Sequence, residues 1–95
     1  MTLSDRVVPK PDVIFRALGA EAVVLNLESG TYFGLNSVGT RIWLLLEQHD
    51  LAGACEQLEA EYEASRERIE ADVLALVDSL EGKGLVDRRA ATPDG

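Results

Sequence analysis

The apolar residues of this chain change their spacing once, near Asn36, from an alternating pattern to a helical one. Before that point, the runs VIFRAL (13–18), EAVVLNLE (21–28) and TYFGL (31–35) are rich in the branched and aromatic residues that are typical of strands. After it, apolar residues recur at every third or fourth position, the period of an amphipathic helix. The pattern therefore predicts an α+β fold in which helices cover one face of a sheet.

The three predicted strands are joined by very short connections. Residues 19–20 separate the first two strands, and residues 29–30 separate the second from the third. Connections of this length join antiparallel neighbours, so the sequence predicts a three-stranded antiparallel sheet. In the third strand, the alternation places Phe33 and Leu35 on one face, which we expect to be the buried one, with Tyr32 and Gly34 on the other.

Three helices are predicted after the sheet, each with a polar residue at its N-terminus. Asn36, Asp50 and Ser65 are all suited to cap a helix by accepting a hydrogen bond from its first free N–H groups. The first helix is expected to stop near His49, and the third near Glu81, before two glycines. The closing segment LVDRR can form a short strand or an extended tail.

The third predicted helix has more apolar residues than one buried stripe requires. Helical spacing gives a stripe of four residues, Ile69, Val73, Leu76 and Leu80. On one side of this stripe lie four further residues, Arg66, Glu70, Leu74 and Val77. We expect this flank to border a groove.

Composition limits the possible functions. Ninety-five residues indicate one domain, with an ordered core from about residue 12 to 88 between two loose ends. A net charge of −8 disfavours nucleic acid as a partner, because it repels phosphate. One cysteine and one histidine allow neither an intramolecular disulfide nor a clustered metal site. Without a secretory leader or a membrane-spanning run, the protein is expected to be cytoplasmic, with no membrane partner.

No residue pattern for catalysis is apparent. His49 lies at a predicted helix end with no nucleophile pattern pointing to it, and Cys55 falls on the apolar face of the second helix. The glycines of GTYFGLNSVG lack the lysine and the spacing of a phosphate-binding loop. We therefore expect a protein that is not an enzyme and that needs no cofactor.

The segment LNLESGTYFGLNSVGTRIWLLLE, together with the closing LVDSLEGKGLV, resembles the PqqD-like family of peptide chaperones. These domains are also called recognition elements of ribosomally made, modified peptides. The resemblance implies a winged helix-turn-helix-like domain that binds the leader segment of a precursor peptide and presents it to modifying enzymes. It also implies that the leader adds as a strand to the edge of the third strand and lies beside the third helix.

The same resemblance implies a set of peptide-binding residues. On the third strand they are Thr31, Tyr32, Phe33, Gly34 and Leu35. On the third helix they are Arg66, Glu70, Val73, Leu74 and Val77. For several of them a purely structural role is an alternative: Phe33 and Leu35 belong to the predicted core, and Leu74 and Val77 can simply widen the buried stripe.

The resemblance leaves the pathway open. The partners could be a lasso-peptide precursor with its leader peptidase and cyclase, or the precursor of pyrroloquinoline quinone with a radical enzyme that uses S-adenosylmethionine. The segment ESGTYFGLN is more similar to stand-alone members of the family from lasso-peptide pathways than to other members. Two other classes are a DNA-binding winged helix, which the acidic third helix disfavours, and a module that seals its edge strand with a second copy. The expected state is a monomer or a weak homodimer.

Overall fold

The computed structural model describes residues 5–89, which contain five strands and three helices. The strands are β1 (Arg6–Pro9), β2 (Val13–Leu18), β3 (Glu21–Asn26), β4 (Tyr32–Leu35) and β5 (Val86–Arg89). The helices, which lie between β4 and β5 in the chain, are α1 (Ser37–Gln48), α2 (Leu51–Glu61) and α3 (Arg66–Gly82). The predicted α+β fold, with a three-stranded sheet followed by three helices, is confirmed.

Strands β2, β3 and β4 form the antiparallel sheet in that order. The β2–β3 hairpin turns over two residues, and Gly19 adopts a φ of 70°. A two-residue hairpin requires positive φ at its first central position, which glycine adopts without steric cost. In the register of the sheet, Val24 of β3 lies opposite Phe15 of β2 on one side and opposite Phe33 of β4 on the other. The face that carries these three residues packs on the helices.

Strand β3 ends at Asn26, two residues before the predicted end. The Asn26 Oδ1 accepts hydrogen bonds from the N–H groups of Glu28 and Ser29, at 2.8 and 3.2 Å. Such a side-chain contact replaces the ladder partners of the following residues and starts a turn. The Asn26 amide also donates to the carbonyl oxygen of Gly84 at 3.0 Å, which joins this turn to the connection between α3 and β5.

The prediction of a loose N-terminal segment is wrong for residues 6–9. This segment forms β1, which pairs antiparallel with β5 in a separate two-stranded sheet. Val7 and Val86, one from each strand, are buried in the core. The segment LVDRR is thus a strand and not a tail, while residues 1–4 and 90–95, also predicted to be loose, lie outside the described residues.

All three predicted helix caps are confirmed. Asn36, Asp50 and Ser65 accept from the backbone N–H groups of Gly39, Gly53 and Arg68, at 2.8, 2.7 and 3.2 Å. Each side chain thereby satisfies one of the free donors at a helix start. The cap of α1 follows β4 directly, so the strand and the helix are held in one fixed arrangement at Asn36.

The core lies between the three-stranded sheet and the helices. Trp43 of α1 is buried, and its ring stacks on that of Phe15, with centroids 5.8 Å apart and an interplanar angle of 11°. The rest of the buried core comes from the other strands and from all three helices, including the aliphatic residues Val24, Leu35, Ile42, Leu46, Leu51, Leu58 and Leu80. The helical layer therefore covers the same sheet face that the sequence predicts to be buried.

The buried stripe of α3 differs from the predicted one at a single position. Val77 is fully buried, at 0% exposure, whereas Leu76 is only partly buried. Adjacent residues are about 100° apart around a helix, and both alternatives keep the spacing of three or four. The helix thus packs with Val77 inward, and the expectation that Val77 lies beside the stripe is wrong.

Candidate functional site

Strand β4 has one unpaired edge within the described residues. It is the last strand of the order β2-β3-β4, and its other edge pairs with β3. The backbone N–H of Asn26 donates to the carbonyl oxygen of Thr31 at 2.8 Å. Because inward and outward main-chain groups alternate along an antiparallel strand, this bond fixes their directions in β4. Phe33 and Leu35 point their N–H and C=O groups at β3, and Tyr32 and Gly34 point theirs outward.

The side chains of β4 divide between two environments. Leu35 is 3% exposed, and Phe33 is partly buried against the core, so both predicted core positions are confirmed. Tyr32 lies on the opposite face of the sheet and is 68% exposed. An added Cβ at Gly34 would have no heavy atom within 4 Å, so the space beside this residue is open. The sheet face opposite the helices is therefore open at both Tyr32 and Gly34.

A groove between α1 and α3 begins where β4 ends. Its first part is a cavity of about 350 Å³ lined by Asn36, Val38, Gly39, Ile42, Asp72 and Leu76. Its second part, of about 170 Å³, is lined by Val38, Ile42, Leu58, Tyr62, Ala64, Ile69, Asp72 and Val73. The two parts share Val38, Ile42 and Asp72, and together they are called the α1–α3 groove below.

The lining of the α1–α3 groove is mainly apolar. Val38 and Tyr62 are exposed apolar side chains at its walls, and Ile42, Leu58 and Val73 are buried below them. Exposed aliphatic and aromatic residues that border a concave surface are typical of a binding site for apolar groups. Among the described residues that line the two cavities, Asp72 is the one with a charged side chain.

The groove lies on the other side of α3 from the flank that the sequence analysis selected. Of the predicted residues on this helix, Val73 lines the groove. Leu74 is partly buried against the core, and it lies about 200° from Leu76 around the helix. Val77 belongs to the core. This flank therefore does not line the α1–α3 groove, and a role for Leu74 and Val77 in binding stays a prediction.

Arg66 is directed at α2, and Glu70 pairs with it on α3. The Arg66 guanidinium lies 2.7 Å from the Glu70 carboxylate and 3.6 Å from that of Glu59, and it also donates to the carbonyl oxygen of Ala52 at 3.5 Å. The bond to Glu70 raises the pKa of Arg66. Neither residue lines the α1–α3 groove, and their arrangement connects two helices.

Several groove residues were not singled out as candidates by the sequence analysis. They are Val38, Ile42, Leu58, Tyr62, Ile69, Asp72 and Leu76. In the sequence, most of them are ordinary members of helical apolar stripes, and only the relative placement of α1 and α3 makes them neighbours. The sequence offers one sign of the groove: if Val77 belongs to the buried stripe of α3, then Leu76 is an additional apolar residue that the stripe does not need.

The residues with catalytic chemistry are placed as structural elements. Cys55 is fully buried in α2, and burial raises the pKa of its thiol. His49 is the C-cap of α1, where its N–H bonds the carbonyl of Leu45. Within residues 5–89, no group of three or more His, Cys, Asp and Glu side chains could hold a metal ion. Over the same residues, no helix is both long enough and apolar enough to cross a membrane.

A family model described as coenzyme PQQ synthesis protein D (PqqD) matches residues 21–86. The chain belongs to the PqqD family. The match runs from the start of β3 to the start of β5, so it contains both β4 and the α1–α3 groove. The resemblance stated from the sequence is confirmed. No curated protein matches this PqqD-family chain.

Two solved structures are similar to this PqqD-family domain. One is described as TbiB1 in complex with the TbiA(beta) leader peptide; it is 34% identical, with a TM-score of 0.80, and the match covers 84% of this chain and 94% of that one. The other, lasso peptide synthetase B1 complexed with the leader peptide, is 30% identical, with a TM-score of 0.75 and coverage of 86% and 98%. The two similar domains thus each carry a leader peptide.

Proposed function

We propose that this PqqD-family domain binds the leader segment of a ribosomally synthesised precursor peptide and presents it to modifying enzymes, without catalysing a reaction itself. The observation that carries this proposal is the free edge of β4, which ends at the apolar α1–α3 groove. An edge strand provides main-chain affinity for an extended peptide, and an adjoining groove provides selectivity for its side chains.

Main-chain pairing would involve two residues of β4. Tyr32 and Gly34 direct their N–H and C=O groups away from β3, so an added strand can exchange hydrogen bonds with both. Of the other predicted strand residues, Phe33 and Leu35 direct theirs at β3, whereas Thr31 precedes the strand and donates its N–H to the turn before it. The strand-addition site is therefore short, and the rest of the affinity must come from side chains.

The α1–α3 groove would receive those side chains. Successive residues of an added strand point to opposite faces of the sheet, so every second leader residue lies on the same face as Phe33 and Leu35. That face is the one covered by the helices. Apolar leader residues on this face can continue past Asn36 into the groove between Val38 and Leu76.

The two similar structures support a leader peptide as the ligand, and the one described as lasso peptide synthetase B1 supports lasso-peptide biosynthesis as its pathway. Each is described as a complex with a leader peptide, and each is at least 30% identical to this chain. The proposed further partners are the leader peptidase and the cyclase of such a pathway, and the proposed compartment is the cytoplasm, where precursor peptides are made. The description of the family model favours a second candidate, the pyrroloquinoline quinone precursor with its radical enzyme.

A DNA-binding role is disfavoured by charge. The exposed side chains of α3 include Glu67, Asp72, Asp78 and Glu81 against Arg68. A helix that enters the major groove needs the opposite sign, because it lies between two rows of phosphates. A second copy of this chain remains the competing occupant of the β4 edge, and the mass of the protein in solution distinguishes it from a leader.

Amide hydrogen exchange tests strand addition residue by residue. The probe is a synthetic leader, taken from the precursor gene nearest to this one, with a scrambled peptide of the same composition as control. We expect slower exchange at the amides of Tyr32 and Gly34 on binding. The amides of Phe33 and Leu35, already bonded to β3, should change little. Protection restricted to α3, or a Kd weaker than about 100 μM, about −5.5 kcal/mol, would contradict the proposal.

A further inference from the structure

The one charged group in the lining of the α1–α3 groove lies where its two parts meet. Asp72 borders both cavities, between Ile69 and Leu76 on the same helix. From α1, Val38 and Ile42 line both parts. An apolar peptide segment that fills both parts must therefore pass beside the Asp72 side chain.

The present partner of Asp72 holds it weakly. Its Oδ2 accepts from the Arg68 Nε at 3.3 Å, and the two side chains are 56% and 72% exposed. Ion pairs this exposed contribute little, because water and salt screen them. A carboxylate has about four acceptor sites, so Asp72 can bind a second cation while it keeps Arg68.

Occupation of the groove increases the cost of an unsatisfied carboxylate. A bound peptide excludes water from the groove, and a charge that loses water without gaining a partner is penalised. A leader with only apolar side chains would impose this penalty on Asp72, whereas a lysine or arginine would replace the lost water. The net charge of −8 attracts the same kind of leader over longer distances.

We propose that Asp72 makes the groove selective for leaders that carry a basic side chain between two apolar ones. This inference rests on the proposed function, since it assigns the leader to the groove, and it adds the chemistry by which one leader is distinguished from another. Val38, Ile42 and Leu76 then contact the apolar side chains, and Asp72 pairs with the cation between them.

A double-mutant cycle tests the pairing. The protein variant is Asp72→Asn, and the peptides are the synthetic leader of the neighbouring precursor gene and versions with each Lys or Arg replaced singly by Gln. Asp72→Asn should weaken binding of the unmodified leader about threefold to tenfold at low salt, with less loss at high salt. For one Gln peptide, Asp72→Asn should cause no further loss, and that peptide identifies the paired residue.

Glu56→Gln is the matched control, because it removes the same charge elsewhere. Glu56 is exposed on α2, about 200° around the helix from Leu58 of the groove, and it should leave the affinity unchanged. Thermal melting verifies that both variants fold. If the leader binds wild-type protein but Asp72→Asn and Glu56→Gln bind it equally well, or if no Gln peptide is coupled to Asp72, the inference is overturned and the proposed function stands. Failure of wild-type protein to bind the leader overturns both.

Discussion

Asn26 and Gly84 are 58 residues apart in the chain, yet the Asn26 side-chain amide donates to the Gly84 carbonyl oxygen at 3.0 Å. The same side chain accepts from the N–H groups of Glu28 and Ser29. One buried amide thus joins the turn before β4 to the connection between α3 and β5. The turn that leads into β4, the proposed binding edge, is therefore held by the connection that follows α3.

Replacing Asn26 tests this connection. Asn26→Ala leaves a carbonyl and two N–H groups without their partner, and we expect the free energy of unfolding to fall by about 1–3 kcal/mol in urea titrations. Asn26→Asp keeps an acceptor for Glu28 and Ser29 but directs a carboxylate at the Gly84 carbonyl. The difference in unfolding free energy between Asn26→Asp and the wild-type protein should therefore shrink at acid pH, where the protonated carboxyl can donate to the Gly84 carbonyl. An equal deficit for both variants at every pH would contradict the role of the donor.

Gly34→Pro removes one of the two outward N–H groups of β4. Proline is tolerated on an edge strand when its missing donor faces solvent, so the variant should fold, as circular dichroism can verify. Leader binding should weaken at least tenfold, measured by calorimetry. Gly34→Ala keeps the N–H and adds a methyl group where no heavy atom lies within 4 Å, so it is the control. Normal binding by the folded proline variant would exclude pairing at Gly34.

Leu76→Ala and Leu74→Ala compare the two flanks of α3. Both side chains are partly buried, but Leu76 lines the α1–α3 groove and Leu74 lies about 200° away. Truncating a leucine that contacts the leader should cost about 1–2 kcal/mol, a fivefold to thirtyfold loss of affinity. We expect this loss for Leu76→Ala, and an unchanged affinity for Leu74→Ala in titrations at one temperature. If Leu74→Ala weakened leader binding and Leu76→Ala did not, the leader would bind on the flank of α3 that the sequence predicts.

The ion pair between Arg41 of α1 and Glu61 of α2 should make the stability of the protein depend on pH. The Arg41 Nε and Nη2 donate to the two oxygens of Glu61 at 2.9 and 2.6 Å, and these bonds lower the pKa of the carboxyl. Because the folded-state pKa lies below the unfolded one, the pair stabilises the protein above the ordinary glutamate pKa of about 4.3. That contribution is lost as the pH falls through the folded-state value.

Carboxyl NMR titration of Glu61 measures this pKa directly. We expect a midpoint below the ordinary glutamate value in the wild-type protein, and a return to that value in Arg41→Gln. Arg68→Gln, which removes an arginine of α3 that pairs with Asp72 instead, should leave the Glu61 midpoint where it is. An ordinary midpoint in the wild-type protein would mean that the contact does not persist in solution.

Local chemistry explains why much of the fold is predictable from the sequence. Asn36, Asp50 and Ser65 cap the helices that follow them because capping depends on residues within one turn. The β2–β3–β4 sheet is predictable for a similar reason, since short connections leave adjacent strands no other arrangement. The β1–β5 pair is different: its partners are 77 to 83 residues apart, and four residues such as RVVP carry no local sign of their register.

The candidate site is only half predictable for a geometric reason. The edge of β4 follows from strand order, but the hydrogen bond between Asn26 and Thr31 is needed to show that Tyr32 and Gly34 direct their main-chain groups outward. The groove depends on the rotation of α3, and a stripe through Leu76 has the same helical spacing as one through Val77. Packing against the other elements decides between them, and that decision also moves the groove to the flank of Asp72.

The two-stranded sheet determines how this domain can be joined to other proteins. Arg6 and Arg89 are opposite each other in the β1–β5 register, so the chain enters and leaves the described region about 5 Å apart. A host loop could accept such a unit between neighbouring residues, and a circular permutant could link these positions with a short connector. Because β4 belongs to the other sheet, a fusion made through the ends of β1 and β5 would leave the outward edge of β4 free.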